Sequence, residues 1–338
     1  MIGKTVSHYT ILEELGRGGM GVVYKARDTK LGRTVALKFL SPRIVSDEED
    51  KARFIREARA AAALNHPNIC TVYEIDEVEG QHFIAMELVE GESLKERISR
   101  GPLPLGDVID IAHQIAGGLE KAHAKGIVHR DVKSANIMIT DGGQVKIMDF
   151  GLATSAGATQ LTKEGTTLGT IQYMSPEQAR GEPADHRSDI WSLGVVLFEM
   201  VTGQLPFSGD YDQAVIYAII NTVPERLTAI RTGVPPELER IVGRCLEKNP
   251  AERYQTAKDL DAALRRLERL EPSGAWRERV DEAKARVRGE RGFRRQMDRR
   301  LWLLLLCVPA IAYLIVFVIV PRYFSREAIR GETERTML

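Results

Sequence analysis

Short apolar runs alternate with turns over residues 9 to about 90 of this chain. The runs are rich in β-branched and aromatic side chains, and they are Tyr9–Leu15, Val22–Arg27, Thr34–Leu40, Val72–Val78 and Phe83–Leu88. Runs of this kind predict β-strands. One helical stretch, about Glu48–Leu64, interrupts them and is followed by His66-Pro67. The pattern therefore predicts a small sheet with one helix.

From about residue 93 the apolar positions take helical spacing. The first such set is Val108, Ala112, Ile115, Leu119 and Ala122. We expect this helix to end just before Gly126, and a second helix, Ile190–Val201, to end at Gly203. That second run is apolar nearly all round but too short to span a bilayer, which predicts a buried helix. With further helical segments to about Leu270, the second part of an α+β protein is predicted to be mainly helical.

Between these helices, residues 127–150 contain two strand-like pieces that flank the turn Asp141-Gly142-Gly143. The following stretch, Ala153–Gly169, is rich in Thr, Gly and Ala. This composition predicts a mobile loop.

A run of twenty uncharged residues, Leu301–Val320, stands near the C-terminal end of the sequence. This is the length that a helix needs to cross the hydrocarbon core of a bilayer. Trp302 and Tyr323 flank it, as interfacial aromatic rings do, and Pro309 is tolerated in membrane helices. The run predicts one transmembrane helix at 301–320. The alternatives are a buried core helix and a soluble protein with an apolar interaction helix.

The charges around this run predict its orientation. Residues 284–300 hold eight basic and two acidic side chains, whereas the tail 321–338 holds four Arg and three acidic side chains. By the positive-inside rule, residues 1–300 lie in the cytoplasm of a single-pass plasma-membrane protein. This predicts a basic juxtamembrane segment at 268–300 and a short extracytoplasmic tail at 321–338. Residues 1–15 lack the apolar stretch of a secretory signal.

The composition adds little beyond this. Lys plus Arg equals Asp plus Glu at 47 each, so the net charge is zero although the charges are unevenly placed. The cysteines, Cys70, Cys245 and Cys307, lie far apart and form no CxxC pair. They indicate a reducing compartment and neither a disulfide framework nor a zinc site.

A glycine-rich turn, Gly16-Arg17-Gly18-Gly19-Met20-Gly21, stands between two predicted strands. A GxGxxG pattern alone is weak, because it also begins dinucleotide-binding folds, but there a helix follows the glycines. Here Val22-Val23-Tyr24 favour a strand. Glycines in such a turn let backbone amides approach phosphates. No GxxxxGK[ST] sequence occurs, which disfavours a Walker-type site.

Three further motifs carry charged side chains. Lys38 ends Val35-Ala36-Leu37-Lys38 in an apolar strand and therefore needs an anionic partner, for which Glu57 in the following helix is the leading candidate. The others are His129-Arg130-Asp131-Val132-Lys133-Ser134-Ala135-Asn136 and Asp149-Phe150-Gly151. Together they offer carboxylates, an amide and a lysine on adjacent polar turns. Phosphoryl transfer needs such a set for Mg²⁺, the acceptor hydroxyl and the moving phosphoryl group.

With these four motifs in this order, residues from about 9 to 267 resemble the eukaryotic-like protein kinases. GGMGVVY, HPNI and YMSPEQARG make the chain similar to bacterial Ser/Thr kinases in particular. The resemblance implies a two-lobed kinase fold, with an N-lobe at 9–90 and a C-lobe at 91–267. It implies a non-specific Ser/Thr protein kinase that uses ATP with Mg²⁺ or Mn²⁺ and acts on protein substrates.

The resemblance also implies the site residues. The ATP-binding set is Leu15, Gly16, Arg17, Gly18, Gly19, Met20, Gly21, Val23, Ala36, Lys38, Glu57, Met86, Glu87, Val89 and Met138. Within it the glycines cover the phosphates, Lys38 holds the α- and β-phosphates, and the Glu87 carbonyl and the Val89 amide bond the adenine edge. Met86 is the gatekeeper, and Val23, Ala36 and Met138 pack on the base.

The implied catalytic residues are Asp131, Lys133, Asn136 and Thr170. Asp131 accepts or orients the acceptor hydroxyl, Lys133 lies near the γ-phosphate, and Thr170 contacts both of them. Asn136 and Asp149 hold the metal.

Structural and regulatory roles transfer as well. Glu177 is expected to pair with Arg253, and Asp189 to brace the catalytic-loop backbone. Many members of the family have Pro where this chain has Ser134. Arg130 before Asp131 goes with activation-loop phosphorylation, for which the candidates are Thr162, Thr166 and Thr167.

Two other functions remain open, a pseudokinase scaffold and a small-molecule kinase. The intact Lys38, Asp131, Asn136 and Asp149 disfavour the first, and the segment from Gly169 to Glu177 disfavours the second. The expected partners are protein substrates and the membrane, and no nucleic acid is expected. A homodimer is a further hypothesis, although residues 301–320 contain no GxxxG sequence of the kind that joins membrane helices. The sequence does not name the substrates or the activating signal.

Overall fold

The computed structural model of the protein describes residues 1–18, 21–41, 55–56, 58–150 and 171–270. These residues all belong to one compact unit, Met1–Trp276. The predicted helix at 48–64 is described only in part, and residues 58–62 of it are helical. The predicted loop 153–169 and the C-terminal segments beyond 270 lie outside the described residues.

A six-stranded antiparallel sheet forms the N-terminal part, in the order β1-β2-β3-β4-β6-β5. Its strands are β1 Thr5–Val6, β2 Tyr9–Gly18, β3 Gly21–Asp28, β4 Thr34–Leu40, β5 Val72–Val78 and β6 Gln81–Glu87. The five strands expected from the apolar runs are confirmed. The short edge strand β1 has no comparable apolar run, and it forms by pairing with β2.

Side chains on one face of this sheet form a core of their own. Ring contacts join Tyr9 to Phe83 and Tyr24 to Phe39, in edge-on geometry with centroids 5.9 and 5.8 Å apart. Ala26, Val35 and other small apolar residues fill the space between the rings. Edge-on aromatic pairs add stability beyond the apolar area that they bury. Leu37 and Phe39 of this core alternate with Lys38 along β4, so Lys38 lies on the opposite face of the sheet.

A small three-stranded sheet and a set of helices make up the rest of the described chain. The strands are β7 Gly91–Ser93, β8 Ile137–Thr140 and β9 Val145–Ile147, in the order β7-β8-β9. The helices are α1 Leu94–Ser99, α2 Leu105–His123, α3 Pro176–Arg180, α4 Arg187–Thr202, α5 Asp212–Asn221, α6 Leu227–Ile230, α7 Pro236–Cys245 and α8 Ala257–Leu270. One 3₁₀ turn, Ser134–Asn136, stands between α2 and β8.

Helix α4 is the centre of the helical part, as its all-round apolar sequence predicts. Every residue from Ser188 to Thr202 is buried, and Gly203 ends the helix in the left-handed conformation that glycine adopts without strain. Helix α2 ends at His123, three residues before the Gly126 that the sequence suggested as its stop. Gly126 instead takes a positive φ in the turn that follows, where the Ile127 amide donates back to the Ala122 carbonyl.

The expected ion pair between Glu177 and Arg253 is confirmed. Two Arg253 nitrogens donate to the two Glu177 oxygens at 2.7 Å each, and the Arg253 side chain is fully buried. Burial would raise the pKa of Glu177, but the hydrogen bonds and charge of Arg253 outweigh burial and lower that pKa. The pair fixes α3 against the segment before α8, because breaking it would leave an unpaired buried charge.

Among the helices that the structure describes, none is both long and apolar enough to cross a membrane. The described residues end at 270. They therefore do not include the predicted transmembrane segment 301–320, the tail 321–338, or the basic juxtamembrane segment from residue 271 onward.

Candidate active site

The loop after α2 brings three of the predicted catalytic residues together. The Lys133 ammonium group lies 2.8 Å from one Asp131 carboxylate oxygen. The Asn136 side-chain nitrogen donates to that same oxygen at 3.0 Å and to the Asp131 carbonyl at 2.9 Å. The Asp131 side chain therefore lies in a fixed position between a cation and an amide, with only 8% of the residue exposed.

A buried carboxylate on α4 holds the backbone of this loop, as the sequence predicted for Asp189. One Asp189 oxygen accepts from the His129 amide and the other from the Arg130 amide, both at 2.8 Å. His123 at the end of α2 donates to Asp189 as well, also at 2.8 Å. Arg130 adopts a φ of 65°, a conformation that costs energy for a residue with a side chain. The bonds to Asp189 keep Arg130 in that conformation just before Asp131.

The charge of Asp189 is maintained despite its burial. Burial would raise the pKa of this carboxyl, but the hydrogen bond and charge of His123 and the amide of His129 outweigh burial, so the pKa lies below its usual value. An ionised oxygen is a stronger acceptor for amide hydrogens than a neutral one.

The ring of His129 joins the two polar turns of the site. Its Nδ1 atom accepts from the Asp131 amide at 3.2 Å, so its Nε2 atom carries the hydrogen that donates to the Met148 carbonyl at 2.8 Å. The Met148 amide in turn donates to the Asn136 carbonyl at 2.8 Å. His129 was part of a sequence motif without a role of its own, and this bridging role emerges only from the fold.

The second turn places Asp149 against Lys38 of β4, with 2.7 Å between the carboxylate and the ammonium group. Burial would raise the pKa of the Asp149 carboxyl, but the charge and hydrogen bond of Lys38 outweigh burial and lower it. Glu57, the partner that the sequence suggested for Lys38, lies outside the described residues. Lys38 is 5% exposed, so in this arrangement Asp149 compensates its charge.

Four residues of the predicted ATP-binding set meet in one apolar cluster. Val23, Ala36, Met86 and Val89 all belong to it. Strand register explains why, because Ala36 lies opposite Met86 between β4 and β6, while Val23 lies opposite Lys38 between β3 and β4. Met138 does not belong to this cluster and stands in β8, half-buried and opposite Lys146.

The glycines of the turn between β2 and β3 differ in their surroundings. A Cβ atom at Gly16 or Gly18 would meet no atom of the described residues within 4 Å, which leaves room on that side for a ligand. A Cβ atom at Gly21 would overlap the Phe39 carbonyl at 1.8 Å, and its φ is 139°. Gly21 therefore permits close pairing of β3 with β4. The flanking Leu15 and Arg17 are exposed, and Arg17 pairs with Glu14.

Glu87, whose carbonyl is expected to face the adenine edge, is held through its side chain. Lys146 of β9 lies 2.8 Å from one Glu87 oxygen, and the Thr71 amide donates to the other at 3.2 Å. The Glu87 amide donates to the Thr71 carbonyl at 2.9 Å. This role of Lys146 could not be expected from the sequence, because one lysine in a short strand is usually a surface residue.

Seven predicted residues lie outside the described part of the chain, namely Gly19, Met20, Glu57, Thr162, Thr166, Thr167 and Thr170. Their roles stay predictions.

The remaining residues fit a nucleotide with Mg²⁺. The Asn136 nitrogen is committed to Asp131, so the Asn136 oxygen is the atom that this amide can offer to a cation. Asp149 offers a carboxylate. No group of three His, Cys, Asp or Glu side chains suited to a metal occurs within the described ranges. Mg²⁺ commonly takes only one or two protein ligands and completes its shell with phosphate and water, so two oxygens suffice.

Residues 9–263 match the family model described as protein kinase domain. Among curated proteins, the chain is 43% identical over 269 residues to the serine/threonine-protein kinase PrkC of Bacillus subtilis, which covers 78% of this chain and 41% of that protein. It is 42% identical over 260 residues to the serine/threonine-protein kinase PknL of Mycobacterium tuberculosis, covering 76% and 65% respectively. The chain thus spans between two fifths and two thirds of the length of these relatives.

Solved structures give the same picture. The crystal structure of the Mycobacterium tuberculosis PknI kinase domain superposes with a TM-score of 0.64 at 30% identity. The match covers 79% of this chain and 98% of the PknI domain.

We predict that Asp189→Asn destabilises the protein by about 3 kcal/mol at pH 7. Three N–H groups donate to the two carboxylate oxygens of Asp189, whereas the asparagine amide would offer a single acceptor oxygen. Since the pKa of Asp189 is lowered by folding, its contribution is present above the unfolded pKa and is lost as pH falls through the folded value. The difference between variant and wild type in urea unfolding is therefore expected to shrink below about pH 4.

The matched control is Asp110→Asn on α2, an exposed site where the same change is expected to cost less than about 0.5 kcal/mol. Equal losses for the two variants would contradict the bracing role of Asp189.

Proposed function

This chain belongs to the protein kinase family and carries a Ser/Thr protein kinase domain of the bacterial type, and on that premise we propose the function of the whole protein. The protein transfers the γ-phosphate of ATP to Ser and Thr hydroxyls of protein substrates, with Mg²⁺ or Mn²⁺, in signal transduction at the membrane. The observation that carries the proposal is the pair of adjacent turns in which Asp131 contacts Lys133 and Asn136 while Asp149 contacts Lys38.

In this proposal Asp131 accepts or orients the hydrogen of the acceptor hydroxyl. Its carboxylate is held by Lys133 and Asn136, so its position does not depend on substrate. Lys133 adds positive charge near the transferred phosphoryl group, with Thr170 as the further contact expected from the sequence. Phosphoryl transfer depends mainly on positioning and on such charges, because the protein forms no covalent bond to the phosphoryl group.

Nucleotide binding is assigned to the opposite side of the site. Lys38 would hold the α- and β-phosphates, and the open backbone at Gly16 and Gly18 leaves room for phosphate oxygens. The adenine would lie in the apolar cluster of Val23, Ala36, Met86 and Val89, with the Glu87 carbonyl and the Val89 amide at its edge. Asn136 and Asp149 would hold Mg²⁺, which when bound compensates phosphate charge.

We expect the purified full chain to transfer labelled phosphate from ATP to dephosphorylated casein, with the label on Ser or Thr. Asp131→Asn and Asp149→Ala are expected to lower the rate by about a hundredfold or more, since one removes the hydroxyl-orienting carboxylate and the other a metal ligand. Asp141→Asn, in the exposed turn between β8 and β9, is the matched control and is expected to retain the wild-type rate.

Nucleotide binding without transfer by the wild type would instead support the scaffold function. Transfer that survives both active-site substitutions would refute the assigned roles.

We also propose that the kinase activates itself by phosphorylating the loop that holds Thr162, Thr166 and Thr167. The supporting feature is Arg130, whose backbone is fixed by Asp189 next to Asp131. A phosphate that pairs with the Arg130 guanidinium group would order the loop beside the catalytic residues.

Phosphopeptide mapping after incubation with ATP is expected to find phosphate on one or more of these threonines. The Asp131→Asn chain, which serves as control, is expected to carry none. Replacing all three threonines by alanine is expected to lower activity roughly tenfold, because the loop loses its charge-assisted bonds. An unmodified loop in fully active enzyme would contradict this proposal.

We further propose that residues 301–320 anchor the kinase in the plasma membrane with the catalytic domain in the cytoplasm. The support is twenty uncharged residues preceded by a basic segment. The full chain is expected to stay with membranes washed in alkaline carbonate, and a chain ending at Arg300 to become soluble. A chain ending at Pro321 keeps the apolar run without the tail and is expected to stay bound. Release of the full chain by carbonate would favour a soluble kinase with an apolar interaction helix.

A further inference from the structure

Ser134, in the middle of the catalytic loop His129–Asn136, belongs to a buried polar cluster that the sequence did not predict. Its hydroxyl donates to one Glu199 oxygen at 3.2 Å and lies 2.9 Å from the Tyr173 hydroxyl. The Tyr173 hydroxyl donates to the other Glu199 oxygen at 2.6 Å. We call these three residues the Ser134 cluster. Ser134 is fully buried, and Tyr173 and Glu199 are 7% and 8% exposed.

The cluster joins three parts of the C-lobe that meet only through tertiary structure. Ser134 lies between Lys133 and Asn136, which both contact Asp131. Tyr173 stands in the described segment that precedes α3, and its carbonyl accepts from Ser192 of α4 at 2.8 Å. Glu199 lies on α4, the fully buried helix. A change in the segment at Tyr173 is thus transmitted to the catalytic loop over two hydrogen bonds.

A second contact links the same two segments. Gln178, the third residue of α3, donates from its side-chain amide to the Arg130 carbonyl at 3.0 Å. The catalytic loop is therefore joined to the 173–178 segment at two points, Arg130 and Ser134. Two ties at different points fix the distance and the angle between the segments, which one tie cannot do.

The backbone does not require serine at this position. Lys133 is extended, with φ −156° and ψ 159°, and Ser134 is the first residue of the 3₁₀ turn. Proline is compatible with both conditions, because it favours an extended residue before it and the first position of a helical turn. Proline offers no hydroxyl, so what serine supplies here is its hydrogen bond to Glu199 and its contact with the Tyr173 hydroxyl.

The pKa values of Glu199 and Tyr173 each depend on the other members of the Ser134 cluster. Burial raises the pKa of Glu199, while the hydrogen bonds from Tyr173 and Ser134 and the charge of Lys95 lower it, and burial prevails. Burial and the neighbouring carboxyl also raise the pKa of Tyr173 above its usual range. Buried polar groups of this kind are costly when a partner is removed, so each member holds the other two in place.

We propose that Ser134 is a positioning residue for the protein-substrate side of the reaction, acting through Tyr173 and Glu199. The hydroxyl fixes the segment that follows the activation loop at a set distance from Asp131, and so aligns the acceptor hydroxyl of a protein substrate. Among the hydrogen bonds of the described residues, the Ser134 side chain bonds Glu199 and approaches Tyr173, and none joins it to Lys38, Met86 or Asp149. This inference rests on the proposed role of Asp131 as the residue that orients the acceptor.

The test measures steady-state transfer to dephosphorylated casein by the full chain. Ser134→Ala is expected to lower kcat/KM for casein about threefold to tenfold, the effect of losing one hydrogen bond to a carboxylate, while KM for ATP stays unchanged. Tyr173→Phe, which keeps the ring, is expected to have a similar effect. The double variant is expected to lose less than the product of the two single losses, because both changes break the same cluster.

Two further variants separate positioning from stability. Thr202→Val removes a buried hydroxyl from the same helix as Glu199. In the described structure this hydroxyl bonds the backbone of Phe198 and Gln204. The substitution is expected to leave kcat/KM unchanged. Ser134→Pro is expected to match Ser134→Ala, because both lack the hydroxyl. If Ser134→Ala does not give folded protein by thermal unfolding, Tyr173→Phe and Ser134→Pro carry the test.

Wild-type kcat/KM in the Ser134 and Tyr173 variants would overturn the inference. So would an equal loss in Thr202→Val, or a loss that appears in KM for ATP and not in casein kinetics. Asp131→Asn, measured in parallel, separates the inference about Ser134 from the proposed role of Asp131. If it is inactive while Ser134→Ala is normal, only the inference about Ser134 fails; if it is active, the proposed role of Asp131 fails as well.

Discussion

The buried carboxylate of Asp189 is the interaction on which the catalytic region depends. It sits on a helix whose other side chains form the core of the C-lobe, and it accepts from two consecutive amides and one histidine. Consecutive amides can point at one carboxylate only if the backbone between them turns sharply, and Arg130 accordingly has a positive φ. The hydrogen bonds to Asp189 offset both the cost of the positive φ and the cost of the buried charge, which keeps Asp131 directed into the site.

The two polar turns of the site are aligned by short bonds that run from this loop. His129 connects the Asp131 amide to the Met148 carbonyl, and the Met148 amide returns to the Asn136 carbonyl. The next residue, Asp149, reaches Lys38 on the N-terminal sheet. A single chain of contacts thus leads from the core helix to the strand that carries Lys38. Each step uses a buried or half-buried polar group that would be costly without its partner.

Much of this arrangement was predictable. Alternating apolar runs gave five of the strands because a strand half-buried in a sheet needs that pattern, and the all-round apolar run gave α4 because only a fully buried helix tolerates it. The charged motifs predicted that Asp131, Asn136 and Asp149 lie on adjacent polar turns, and in the structure Asp131 contacts Asn136 while Asp149 contacts Lys38. The pairing of Glu177 with Arg253 and the bracing by Asp189 followed from the same family resemblance.

Other features were decided by the tertiary structure. Local sequence does not specify that His129 bonds the Met148 carbonyl or that Lys146 pairs with Glu87. It does not specify the Ser134 cluster either. The partners in these contacts lie between two and 65 positions apart along the chain, and a hydrogen bond depends on distances of tenths of an ångström. The sequence by itself determined which elements form and which chemical groups are present. Only the packing of sheet, loop and helix decided which of those groups touch, because burial and bond geometry are properties of the folded chain as a whole.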